Sequence, residues 1–145
     1  MSIVLLINLF TTFAMTGIIW LVQVTHYPSF RYVEMKSWPQ FHTFHTGSIT
    51  IVVAPLMMAQ LLSAATLLFS TYMDSYKTYF IINISLVALV FIATAFVSVP
   101  IHNKMAQYFD SSLIDSLVIT NWIRTIAWSL NSLVLLYLLT RVQFE

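Results

Sequence analysis

Four apolar runs with almost no charge decide what this chain can become. They are Ile3–Thr25, Ser48–Ser70, Tyr79–Ile101 and Leu117–Thr140, each 23 or 24 residues long. None contains Lys, Asp or Glu, and only the fourth contains an Arg. A helix of ~20 such residues crosses the ~30 Å hydrocarbon core of a bilayer. Spanning strands would need only ~9–11 residues and would alternate polar with apolar, which these runs do not. Backbone groups in lipid must be satisfied within the segment, so four spanning helices follow. The expected fold is all-α: a four-transmembrane-helix bundle of up-down-up-down order, in one integral membrane domain over residues 1–145. Short interfacial helices could form in the 26–47 and 102–116 loops. The first run lacks a basic start and a small-residue cleavage pattern, so it reads as a span, not a removable signal peptide.

Composition agrees. Only 8% of the residues are charged, against roughly 25% in a soluble domain. The absence of cysteine rules out a disulfide, a thiolate ligand and a thiol nucleophile. The formal net charge of +1, with no basic run, argues against nucleic acid as a partner. The expected partners are the lipid bilayer and a lipophilic small molecule, and the chain is compatible with a homo-oligomer. The expected location is the inner (cytoplasmic) membrane of a bacterium.

Four crossings also fix sides. The loops at 26–47 and 102–116 share one face, and the 71–78 connection and both termini share the other. The first face therefore holds all four histidines, His26, His42, His45 and His102. It also holds Arg31, Lys36 and Lys104, against Lys77 and Arg141 opposite, which tips it toward the cytoplasm by the positive-inside rule. Ser37-Trp38-Pro39-Gln40 reads as a capping box that starts the second helix near Trp38. His42 and His45 are then i, i+3 neighbours on one helix face. Gly47 and Pro55 are places where that helix could bend, and Pro100 could kink the third helix just before His102.

In the fourth run Asn121, Arg124, Thr125, Trp128 and Asn131 recur at steps of three and four, which is one helix face. Arg124 lies about two turns inside the apolar run, where a charge is costly unless it is paired or faces the bundle interior. Gln60 and Asn83 read as helix–helix hydrogen bonds. Glu34, Asp110 and Asp115 read as solvated or capping loop residues, so a Ca or Mg cage is not expected.

The histidines admit two readings. One is a transition-metal site of Cu, Fe or Zn, which imidazole suits, with His26, His42, His45 and His102 as ligands. Gln23, Asn103 and Arg124 would then be polar supports of the ring orientations. The other is four separate interfacial histidines. A haem held by two histidines from different helices ranks below a directly bound metal, because the histidines lie at helix ends and Gly17 and Gly47 are the only glycines.

Pro100-x-x-Asn103 at the end of the third run and Trp122-x-Arg124 near the start of the fourth, on a four-span plan of this length, resemble small membrane proteins of the anthrone oxygenase-like family. The segments HYPSF and FHTFH look like a bacterial subgroup of it. The resemblance implies oxygenation of an aromatic, lipophilic substrate and makes Asn103 and Arg124 candidate polar contacts to that substrate. The expected function is thus an integral membrane oxidoreductase or oxygenase. A quinone-like or aromatic substrate would meet Arg124, Asn121 and Asn103 as catalytic contacts, with Trp122, Trp128, Phe41 and Phe44 along its apolar part. A non-enzymatic metal- or haem-binding protein or accessory subunit is the alternative. A small transporter is a third, for which no inverted repeat or pair of broken helices is visible.

Overall fold

A computed structural model describes residues 2–70 and 75–141. Residues 71–74 of the expected 71–78 connection lie outside the described residues. Four helices are long and apolar enough to cross a membrane: α1, Ile3–Tyr32; α2, Trp38–Leu68; α3, Lys77–Met105; and α4, Ser111–Arg141. This is the all-α four-helix bundle of an integral membrane protein. Around the ring α1 packs on α2 and α4, α2 on α1 and α3, and α3 on α2 and α4. The order is therefore up-down-up-down.

The helices outrun the apolar segments. At 29–31 residues they are about 45 Å long, which covers the hydrocarbon and part of each interface. No separate interfacial helices form at 26–47 and 102–116. The helices simply continue into these stretches, because polar side chains there find partners inside the bundle. Trp38 shows how. Helix α2 does begin at Trp38 with Pro39 in its first turn, but Ser37 makes no capping bond. The anchor is instead the fully buried Trp38 indole, which donates from Nε1 to the Met105 carbonyl at 2.7 Å and ties α2 to the end of α3. Asp110 does cap: its Oδ1 accepts from the Ser112 hydroxyl at 2.7 Å and from the Ser112 amide at 2.8 Å, at the start of α4. Those two bonds hold its carboxyl below the usual carboxylate range.

Two of the prolines reshape the helices near the histidines. Proline cannot donate to the carbonyl four residues back and collides with it. Ahead of Pro28 the chain widens into a π-turn over Val22–His26, and ahead of Pro100 into another over Thr94–Ser98. At each end the ladder reaches five residues back: Tyr27 N–H to Val22 O, and Val99 N–H to Thr94 O. Each proline stands two residues beyond its π-turn. The kink expected at Pro100 is thus this π-turn, and Pro28 has a matching one. Pro55 lies within an unbroken α2.

Inside, two apolar clusters are separated by polar layers. Met15, Ile19, Trp38, Met105, Leu117 and Trp128 belong to the cluster near the histidine end. Leu5, Leu9, Leu67, Phe80, Leu135 and Leu138 form the other. Between them Gln60 accepts from Trp128 Nε1 at 3.0 Å and donates to Thr12 Oγ1 at 2.9 Å, and Asn83 donates to Asn131 Oδ1 at 2.9 Å. Gln60 and Asn83 are therefore the helix–helix bonds that their isolation in apolar runs suggested.

The bundle sets a direct test of topology. Cysteine labelling in sealed vesicles should report Glu34→Cys and Gln107→Cys from one face and Ser75→Cys from the other. Opposite faces for positions 34 and 107 would contradict the four-span order.

Candidate functional site

The π-turn before Pro28 carries His26 and Tyr27 into the bundle at the end of α1. One turn inside α2, His42 and His45 share a face and are both buried. His102 comes from α3, just beyond the second π-turn. Three helices thus bring all four imidazoles into one cluster. His26 Nε2 and His45 Nδ1 are 2.8 Å apart, and His42 Nε2 and His102 Nδ1 are 3.3 Å apart. Ring centroids are separated by 4.6 Å for His26 and His45, 5.5 Å for both His42–His102 and His45–His102, and 6.4 Å for His42 and His45. Phe30 packs edge-on against His26 and His45, and Trp38 lies against His42. As the side chains stand, no three His, Asp or Glu among the described residues already surround a common point as ligands of an ion.

The fourth helix joins through Tyr27. Its hydroxyl lies 3.2 Å from His102 Nε2 and accepts from Arg124 Nη2 at 3.1 Å. Arg124 also donates to Asn121 Oδ1. Asn121 Nδ2 donates to Gln23 Oε1 at 2.8 Å, Thr125 Oγ1 donates to the same oxygen at 3.2 Å, and Gln23 Nε2 donates to the Val118 carbonyl at 3.0 Å. A continuous polar path therefore runs from Gln23 through Asn121, Arg124 and Tyr27 to the imidazoles. Two buried nitrogens beside it have no partner, His45 Nε2 and Arg124 Nε.

A cavity of ≈ 400 Å³ opens against this path. Tyr27, His45, His102 and Arg124 form its polar edge, and Met15, Ile19, Val53, Met57 and Trp128 are among its apolar walls. A second hollow of ≈ 260 Å³ shares His45 and Ile49 with it and is also lined by His26, Phe41, Phe44, Ser48 and Val52.

The expected site residues divide accordingly. His26, His42, His45, His102 and Arg124 come together. Asn121 is fully buried, its amide engaged by Gln23 and Arg124, and it does not line the cavity. Asn103 stands exposed at the cavity rim. Of the expected aromatic lining, Trp128 lines the main cavity and Phe41 and Phe44 the second hollow. Trp122 is outside: 42% exposed, it packs edge-on against Trp20 on the outer surface. Gln23 supports Asn121, not a histidine ring. Tyr27 is the residue that the sequence did not flag. Its signal was position, next to His26 and just before Pro28, once a π-turn is allowed for.

The fold and cluster define a class: a four-helix integral membrane protein with a buried histidine centre. Comparison with known proteins finds no matching family model, curated protein or solved structure.

The Tyr27–Arg124–Asn121 link is testable by stability. Arg124→Leu leaves the Tyr27 hydroxyl and Asn121 Oδ1 without their donor, and Tyr27→Phe leaves an Arg124 N–H without its acceptor; each orphaned group costs ~1–3 kcal/mol. Denaturant unfolding in mild detergent should show both losses, Arg124→Leu the larger, with Trp122→Phe near neutral. An Arg124→Leu variant as stable as the parent would mean that Arg124 reaches to the interface instead.

Proposed function

We propose that the chain is an integral membrane oxidoreductase or oxygenase of a bacterial cytoplasmic membrane, acting on a lipophilic substrate at a histidine-bound transition metal near one membrane face. The observation that carries this reading is the contact cluster of four imidazoles from three helices, with one buried nitrogen, His45 Nε2, left without a partner. Four independent interfacial histidines would have no reason to touch.

The donor set suits Cu, Fe or Zn. His45 donating from Nδ1 to His26 Nε2 would fix its tautomer and free the Nε2 lone pair, with His26 in the place that a carboxylate or carbonyl takes beside a ligating histidine. The 3.3 Å between His42 Nε2 and His102 Nδ1 is about the ~3.3 Å edge of a tetrahedron of nitrogens bonded at ~2.0–2.1 Å. No finished triad stands ready, so ligation requires the rings to turn toward a common point. Their direct contact leaves no slab between them for a porphyrin, which favours a bare ion over haem.

Bound there, copper or iron would supply electron-transfer or oxygen chemistry, and zinc would polarise a substrate oxygen. The chain's own residues bind and orient. Arg124 and Tyr27 present donors at the polar edge of the cavity, and the apolar walls take the body of the substrate and exclude water. The resemblance of the Pro100-x-x-Asn103 and Trp122-x-Arg124 segments to anthrone oxygenase-like proteins points the same way.

Elemental analysis and an optical spectrum of protein purified in mild detergent test the proposal. About one transition metal per chain should copurify, and acid should release it, because ligation needs neutral imidazoles. Single His→Ala changes at positions 42, 45 and 102 should each abolish binding, with non-additive effects in combination. A Soret band would replace the bare ion with haem. Metal without turnover of any quinol or phenol would favour a non-enzymatic metal-binding protein. No metal, with mild and additive histidine effects, would overturn the site.

A further inference from the structure

Arg124 is the one Lys, Arg, Asp or Glu side chain buried in the bundle among the described residues, at 8% exposure. Its partners, Tyr27 and Asn121, are both uncharged in their ordinary forms. The ion pair among the described residues joins Arg31 to Asp115 at the surface, so no carboxylate among them answers Arg124. An uncompensated charge at this depth is costly, and its Nε–H is buried with no acceptor. The same guanidinium borders the ≈ 400 Å³ cavity, whose walls are mostly apolar. His45, whose Nε2 also lacks a partner, borders it too.

A cation with a spare donor at one end of an apolar chamber calls for a particular kind of guest. We propose that the cavity binds a lipophilic anion, with its charged oxygen on Arg124 and its hydrocarbon body against Met15, Ile19, Val53 and Met57. The chamber has a route from the bilayer: Thr50 and Ala54 of α2 and Val99 and Asn103 of α3 line it and are also exposed. A guest can therefore enter sideways between α2 and α3. The charged head could be the carboxylate of a fatty acid or the phenolate of an acidic phenol; the recognition is the same. This names a substrate class and so rests on the proposed oxidoreductase for its catalytic meaning, while binding needs only Arg124 and the cavity.

The full chain in nanodiscs of uncharged lipid provides the test. Trp128 lines the cavity, so a brominated guest should quench it. 12-Bromododecanoate should bind at least about tenfold more tightly than 12-bromododecanol, the advantage of a hydrogen bond to a charged group. Arg124→Gln should erase that preference. Ala54→Trp, which obstructs the portal from its exposed edge and leaves Arg124 intact, should weaken binding of the anion even if Arg124→Gln fails to fold. Competition by pentachlorophenolate or by unbrominated dodecanoate identifies the head group, and displacement by either supports the site. Chelator-treated protein should bind equally well, which separates this result from the fate of the metal reading. Equal binding of acid and alcohol, or an unchanged preference in Arg124→Gln, would overturn the proposal. So would a tyrosinate absorbance at neutral pH that disappears in Tyr27→Phe, because Tyr27 would then be the missing anion.

Discussion

Hydrocarbon offers no hydrogen bonds, and the architecture follows from that single deficiency. Each backbone must close its own ladder, which makes the four helices. Each polar side chain must find a partner within the bundle, which decides how the helices face one another. Gln60 joins α2 to Trp128 of α4 and Thr12 of α1, Asn83 joins α3 to Asn131 of α4, and Gln23 joins α1 to Asn121 and Thr125 of α4. These bonds hold in register the helices that carry the imidazoles. The fully buried Trp38 indole on the Met105 carbonyl then sets the starts and ends of α2 and α3 at the histidine end.

Within that frame the prolines do the local positioning. Pro28 and Pro100 each forbid a regular turn near the histidine end of the bundle, and the chain answers with a π-turn. The extra residue changes which side chains face inward, so His26 and Tyr27 both enter the bundle and His102 reaches their level. The centre is therefore assembled by local backbone adjustments near the ends of α1 and α3, against a regular α2 that supplies its i, i+3 pair.

What was legible in the sequence follows the strength of each signal. Spanning helices announce themselves by length and lack of charge, so their number, their order and the shared face of the four histidines could be read directly. The inward face of α4 was legible because Asn121, Arg124, Thr125, Trp128 and Asn131 keep helical spacing. The true helix ends were not, because polar residues satisfied inside a bundle look like loop residues in a hydropathy count. Tyr27 was hidden for the same reason: its role depends on a π-turn that shifts the helical period. Trp122 was misplaced because an aromatic in an apolar run looks alike whether it meets lipid or a cavity. Asn103 and Asn121 were both polar and near the site, but only the packing distinguishes a rim residue from a structural amide.

The central claim is that four histidines from three helices form one centre and not four. Anomalous X-ray scattering from crystals of the purified protein, recorded at the iron, copper and zinc absorption edges, tests it most directly. The account predicts one peak, at one of those edges, within ~2.0–2.3 Å of at least three nitrogens drawn from His26, His42, His45 and His102. No peak among the four rings in metal-supplemented crystals, with the His26–His45 and His42–His102 contacts intact, would contradict it.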